Sequence, residues 1–263
     1  MASSATSNDG TVIAFEARGS GLPALVFVHG WSCDRSYWEA QVEPLSSHAR
    51  VVVLDLAGHG DSSTTRQDLS IAAFGEDVAA VVQALDLDNV ILIGHSMGGV
   101  VILEAARQIR DRVSGLIWVD TYDQLEQFQS PERVRERMAP FRADFIGATD
   151  AFVRNLFPAT ADVALVERVV MDMSAAPPQI ALSALDAAMN YGRQVPSMLE
   201  RLGLPIGAIN PGSQSTDVSS LRRHRVEVAL IPGVGHFLMI EAPLDFNTRL
   251  LQLVENFRSV RAK

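Results

Sequence analysis

An α/β fold on a mostly parallel sheet, with helices on both faces, is what the amino-acid sequence predicts, and two observations predict it. Short apolar runs rich in β-branched residues alternate with longer stretches whose apolar residues recur at helical spacing. A segment in the second half then interrupts that alternation with helical stretches alone.

Residues 24–28 (Ala-Leu-Val-Phe-Val), 51–54 (Val-Val-Val-Leu), 90–93 (Val-Ile-Leu-Ile) and 115–119 (Gly-Leu-Ile-Trp-Val) read as strands buried on both faces. Between the second and third, Ile71, Phe74, Val78, Val81, Val82 and Leu85 lie on one helical face, with Glu76, Asp77 and Gln83 elsewhere. Strand, helix, strand in this order requires right-handed crossovers in a parallel sheet. From residue 121 to about 200 the pattern is helical only, with one helix opening at Ser130-Pro131 and others over roughly 149–157, 161–172 and 178–190. This stretch holds five of the eight methionines and five of the eleven phenylalanines, suited either to line an adaptable apolar pocket or to form the segment's own core. Strands resume at 205–210 and 226–231, and a helix over 243–257 ends the pattern, with Phe246, Leu250, Leu253, Val254 and Phe257 on one face. The organisation expected is a core of residues 1–120 and 201–263 with a helical cap of 121–200 inserted in it.

Composition narrows the function. A chain of 263 residues, 48% hydrophobic and 20% charged, has enough apolar material for a sizeable core. A net charge of -9 opposes a nucleic-acid partner, which needs clustered Lys and Arg. Cys33 is the only cysteine, so no internal disulfide forms and a thiolate zinc site lacks ligands. The first ten residues carry neither a basic nor an apolar signal region and are expected to be a short frayed leader. No apolar run reaches the ~18 residues that cross a bilayer, so a soluble, cytoplasmic protein without a membrane partner is expected. Oligomeric state leaves no trace in such a sequence.

The most specific chemical signal is Gly94-His95-Ser96-Met97-Gly98-Gly99, a G-x-S-x-G between the strand 90–93 and the helical Val100–Ala106. A serine on so sharp a turn needs small neighbours, because a Cβ at 94 or 98 would meet the adjoining chain. The helix behind it directs N–H groups and its positive dipole end at developing negative charge. Ser96 needs a base to take its proton, and six histidines compete for that role. His236 follows the strand 226–231 through a Gly-rich loop and can reach over the strand ends. His29 and His59 belong to turn motifs, His95 is expected to point away, and His48 and His224 lie in polar stretches.

With these motifs the chain resembles the α/β-hydrolase family over nearly its whole length. His29-Gly30-Trp31 is similar to the family's oxyanion-loop motif, Asp55-Leu56-Ala57-Gly58-His59-Gly60-Asp61-Ser62 to its D-x-x-G-H-G-x-S turn, and Gly233-Val234-Gly235-His236-Phe237 to its histidine segment. The resemblance implies a mostly parallel central sheet of about eight strands with a cap after the sixth, and an oxyanion hole of the Trp31 and Met97 backbone N–H groups. It also implies a triad acid, and here the sequence departs from the commonest pattern: 210–216 after the strand 205–210 contains no carboxylate. Asp120, ending the strand 115–119, stands where haloalkane dehalogenases and other members carry the acid, and an Asp at that cleft needs a hydrogen-bond donor such as a histidine N–H. Asp217 and Asp123 are the alternatives, Asp217 having an ordinary reading as a helix cap. Trp31 is expected either to wall the pocket or simply to pack, and Tyr122 and Phe237 are pocket candidates.

A serine hydrolase of carboxylic esters follows, with a small-molecule ester as partner and a small to medium hydrophobic acyl group. The alternatives are a ligand receptor on a hydrolase fold, or a lyase, C–C hydrolase or cofactor-free oxygenase using the same Ser and His. No cofactor is expected, since the sequence has no G-x-G-x-x-G after a strand, no P-loop and no H-E-x-x-H.

Overall fold

A computed structural model describes residues 3–126, 128–212 and 216–261. Eight strands form one sheet: β1 (Ser3–Thr6), β2 (Val12–Arg18), β3 (Ala24–Val28), β4 (Arg50–Leu54), β5 (Val90–His95), β6 (Val113–Val119), β7 (Ile206–Pro211) and β8 (Val226–Ile231). Their spatial order is β1-β2-β4-β3-β5-β6-β7-β8. β1 and β2 pair antiparallel, as do β2 and β4, and every later pairing is parallel. β3, β5 and β6 are buried along their entire length, which is why they appear in the sequence as unbroken apolar runs.

The leader expectation is corrected at the start of the chain. Ser3–Thr6 pairs with Val12–Phe15, and Ala5 is buried opposite Ile13. A four-residue edge strand with three polar residues takes its order from the neighbouring backbone rather than from its own hydrophobicity. β2 has no unbroken apolar run for a related reason, its Val-Ile-Ala-Phe-Glu-Ala-Arg mixing apolar and charged residues at one end of the sheet.

Helices α1 (Glu39–Ser46), α2 (Ile71–Ala84), α3 (Met97–Gln108) and the last helix, Pro243–Arg261, flank the sheet. α2 packs along α3, and α1 contacts the last helix. Trp38, Trp118, Phe27, Phe74 and Phe246 are among the largest side chains sealed in this core. Among the described residues no helix is long and apolar enough to cross a membrane.

Among the described residues, five α-helices lie between β6 and β7 and form the cap: α4 (Pro131–Ala143), α5 (Phe145–Arg154), α6 (Val163–Ser174), α7 (Pro178–Tyr191) and α8 (Val195–Leu202). Their starts are written locally. Ser130, Asp144 and Asp162 each accept a hydrogen bond from a first-turn N–H, at Arg133, Gly147 and Ala164. The Asp144 cap begins α5 at Phe145, four residues before the position that apolar spacing alone suggested. α7 is fastened to the core where the Tyr191 hydroxyl donates to Glu104 of α3 at 2.7 Å.

Candidate active site

The site is assembled at the carboxyl ends of β3, β5, β6 and β8. Ser96 sits between β5 and α3 with φ 51° and ψ -115°, a left-handed conformation costly for a residue bearing a Cβ. Its amide donates to Val119 O at 2.9 Å, tying the turn to the end of β6. The small neighbours are required as the sequence implied. A Cβ on Gly94 would strike the Gly98 carbonyl, and one on Gly98 would come within 2.6 Å of the His29 carbonyl oxygen. Met97 opens α3, so its N–H is a first-turn donor without a partner in the helix.

Asp120 follows β6, also with positive φ (44°), its amide held by Ile209 O at 3.0 Å. The His236 ring donates through Nδ1 to Asp120 Oδ2 at 2.5 Å, and both side chains are largely shielded, 14% and 11% exposed. This leaves Nε2 as the free nitrogen of the ring, and Ser96 lines the same cavity. Of the three carboxylates considered, Asp120 is the one on His236. Asp217 caps a short helix, α9 (Val218–Arg223), accepting from Ser220 N at 2.9 Å, and Asp123 has an exposed side chain. Asn210, where the commoner family acid would lie near the end of β7, instead donates to Tyr122 O at 2.9 Å.

The backbone around His236 is fixed on every side. Its N–H donates to Leu156 O at 2.9 Å, and its carbonyl accepts from His95 Nε2 at 3.0 Å. Glu241, at the end of a short helix α10 (Leu238–Glu241), accepts from the amides of both neighbours, Gly235 at 2.9 Å and Phe237 at 3.1 Å. Burial raises the Glu241 carboxyl while these amides act against the rise. His95 therefore points toward His236, contrary to expectation, with ring centroids 4.5 Å apart. Burial holds it well below the ordinary histidine range, so it is neutral and serves as a donor. Glu241, an acid on a short helix, carries no assignment in the sequence, and His95 is expected there only to point away from Ser96. The carboxylate five residues after His236 was the available signal.

The remaining histidines are structural or peripheral. His29 Nε2 accepts from Leu56 N at 3.0 Å, which puts its proton on Nδ1 facing Gly30 O. His59 Nδ1 meets Ala57 O at 3.0 Å. Burial lowers the two to about 4 and about 3, so both are neutral. His48 is exposed and His224 half-buried.

Over Ser96 lies a cavity of about 310 Å³. Its floor is Ser96, Met97, Asp120 and His236, and its cap-side wall includes Phe152, Leu156, Met173, Leu185 and Met189. Tyr122 and Phe237, the two pocket candidates, both line it, and Phe237 stacks on Phe157 at 5.1 Å. Trp31 both lines the cavity and packs. It meets Phe141, Phe145 and Phe152 edge-on, and its Nε1 donates to Ala181 O in α7 at 2.7 Å. The cap's methionines divide, Met173 and Met189 facing the cavity while Met138 and Met198 are buried in packing and Met171 is exposed.

A mostly parallel eight-stranded sheet with a helical cap after β6 and a strained serine at the turn from β5 to α3 is the architecture of the α/β hydrolases. Residues 23–162, just over half of the chain, match the family described as alpha/beta hydrolase fold, and the protein belongs to it. A dihydrolipoyllysine-residue acetyltransferase component of the acetoin cleaving system from Pseudomonas putida is 27% identical over 90% of this chain and 65% of its own length. A non-heme chloroperoxidase from Streptomyces lividans is 40% identical over 36% of this chain and 35% of its own. The chain thus spans less than two thirds of either relative. Among solved structures, a thermophilic esterase from Thermogutta terrifontis superposes with a TM-score of 0.84 at 25% identity, over 98% of this chain and 99% of that one.

Proposed function

We propose that the protein is a serine hydrolase of carboxylic esters with small to medium hydrophobic acyl groups. The observation that carries this reading is the 2.5 Å hydrogen bond from His236 to Asp120 in the cavity that holds Ser96. Ser96 Oγ adds to the ester carbonyl as His236 Nε2 takes its proton, and Asp120 orients the ring and stabilises the imidazolium. The N–H groups of Trp31 and Met97 receive the oxyanion. The carbon–oxygen bond to the alcohol then breaks, His236 protonates the departing alkoxide, and an acyl-Ser96 ester remains. Water adds to that ester with His236 again as base, releasing the acid and restoring Ser96. The likeness to an esterase and the mostly apolar cavity support this reading over a receptor or a lyase.

Hydrolysis of p-nitrophenyl esters from acetate to decanoate by wild type and Ser96→Ala is the direct test. Activity in the wild type that vanishes in the variant is expected, with the optimum chain length set by the cavity. A well-folded wild type that turns over none of these esters would overturn the reading and favour a binding protein.

A further inference from the structure

Beyond the cavity over Ser96, and sharing with it Thr121, Tyr122, Gln129, Arg137, Ala188 and Met189, runs a wider groove of about 890 Å³. The two spaces differ in chemistry. The inner one is walled mainly by Met, Leu and Phe with Arg137 as its guanidinium, whereas the groove presents three, Arg133, Arg137 and Arg193. Among the described residues that line it, Asp123 is the one carboxylate, which leaves the groove basic on a chain whose net charge is -9.

The pairing of the cap's arginines follows the same division. On α4 itself, Arg135 pairs with Glu132 at 3.0 Å and Arg142 with Asp186 at 3.2 Å, both outside the groove. Among the described residues, Arg133 and Arg137, on the groove, have no carboxylate within ion-pair distance, and Arg193 reaches only the Gln129 carbonyl, at 3.5 Å. Arg137 lines both spaces, so it stands where a chain leaving the inner cavity would emerge. Guanidinium groups present planar donors matched to the two oxygens of an oxyacid anion, and grouping three raises the local concentration of such anions.

We infer that the groove binds an anionic oxyacid group on the substrate, remote from the ester bond. The substrate class is then an ester with an apolar stem in the inner cavity and a carboxylate or phosphate at its far end, against Arg137 and Arg133. This rests on the ester-hydrolase reading for its chemistry, but the anion site is a property of the groove and has its own test.

The first measurement compares the mono-p-nitrophenyl ester of glutaric acid, which keeps one free carboxylate, with p-nitrophenyl pentanoate, its uncharged counterpart of equal chain length. The charged ester is expected to have the higher kcat/KM. The charged-to-neutral ratio should fall about tenfold in Arg137→Gln, less in Arg137→Lys, and reverse in the double variant Arg133→Glu/Arg137→Glu. It should also shrink at high salt. A ratio that is the same in all four proteins would overturn the anion site while leaving ester hydrolysis standing. The second measurement needs no turnover: calorimetric titration of Ser96→Ala with monomethyl glutarate and with glycerol 3-phosphate. Binding of either that is lost on adding Arg137→Gln supports the inference, and the tighter ligand identifies the anion. No binding of either, or binding unchanged by Arg137→Gln, would overturn it even if the esters are cleaved. Bound anion without cleavage of any ester would sink the hydrolase reading instead.

Discussion

The sheet side and the cap side of the cavity are built on different principles. On the sheet side the three candidate catalytic residues are placed by directed bonds: Ser96 by its amide to Val119 O, His236 by Asp120, His95, Leu156 and Glu241, and Asp120 by Ile209 O. On the cap side the groups over Ser96 are Met, Leu and Phe, positioned by packing, with one directed bond back to the oxyanion loop, from Trp31 to Ala181 O. Directed bonds fix a position to a fraction of an ångström, as chemistry requires, while apolar contacts fix only a volume. Damage to the sheet side should therefore appear in kcat, and damage to the cap side in KM, chain-length preference and stability.

Asp120→Asn is the sharpest way to break the sheet side. Loss of the carboxylate removes the orientation of His236, and kcat should fall about 10³–10⁴-fold with the fold retained. Asp217→Asn is the control, since that side chain caps α9 and lies away from His236. It should cost at most about 1 kcal/mol of stability and leave kcat near the wild-type value. Equal activity of the two variants would remove Asp120 from the mechanism.

Glu241 should give the next largest effect. Its carboxylate holds the amides on both sides of His236, so Glu241→Ala frees the loop and should lower kcat about 10²-fold, with Glu241→Gln retaining part of the activity. KM should change little, because the side chain is absent from the cavity lining. A change in KM with kcat preserved would make Glu241 a residue of the pocket's shape and not of His236's position.

The same contrast explains what was legible in the sequence. Ser96 announced itself because its turn has steric requirements that Gly94 and Gly98 record, and His236 because a Gly-rich loop carries it from β8. The parallel strands were visible because burial on both faces demands unbroken apolar runs. Glu241 and His95 act through backbone groups that any residue possesses, so nothing at the partner position marks them. β1 was invisible for the same reason, being ordered by the backbone of β2. In the cap, composition announced apolar residues, but whether a given methionine faces the cavity, as Met173 does, or packs behind it, as Met138 does, depends on how the helices lie on the sheet.

The buried histidines beneath the site give a smaller, pH-dependent effect. His29 and His59 titrate at about 4 and about 3 in the folded chain, below their ordinary 6.5, because burial penalises the charged ring. The unfolded chain thus binds more protons between these values, so stability is full above pH 6.5 and is lost as pH falls toward 4. From pH 7.5 to 5 each histidine should withdraw ~2 kcal/mol, and in urea unfolding His59→Asn should lose about one such share less than wild type. An unchanged pH slope in that variant would mean that His59 titrates alike in the folded and unfolded chain, so that burial does not disfavour its charged form.

Trp31 is one point where the two sides meet, and Trp31→Phe asks how much its bond to Ala181 O adds to packing in holding the cap. The phenyl ring keeps much of the apolar contact with Phe141, Phe145 and Phe152 but loses the N–H that reaches Ala181 O. The cost should be about 1 kcal/mol, a few degrees in Tm for a chain of this size. Its distribution is more informative than its size. If the bond anchors the cap, hydrogen exchange should accelerate at the amides of α7 around Ala181 while β5 keeps its protection, and KM should rise more than kcat falls. If α7 and β5 lose protection together, Trp31 is a core residue of the whole molecule, and the separation between a sheet side built on directed bonds and a cap side built on packing fails at this contact.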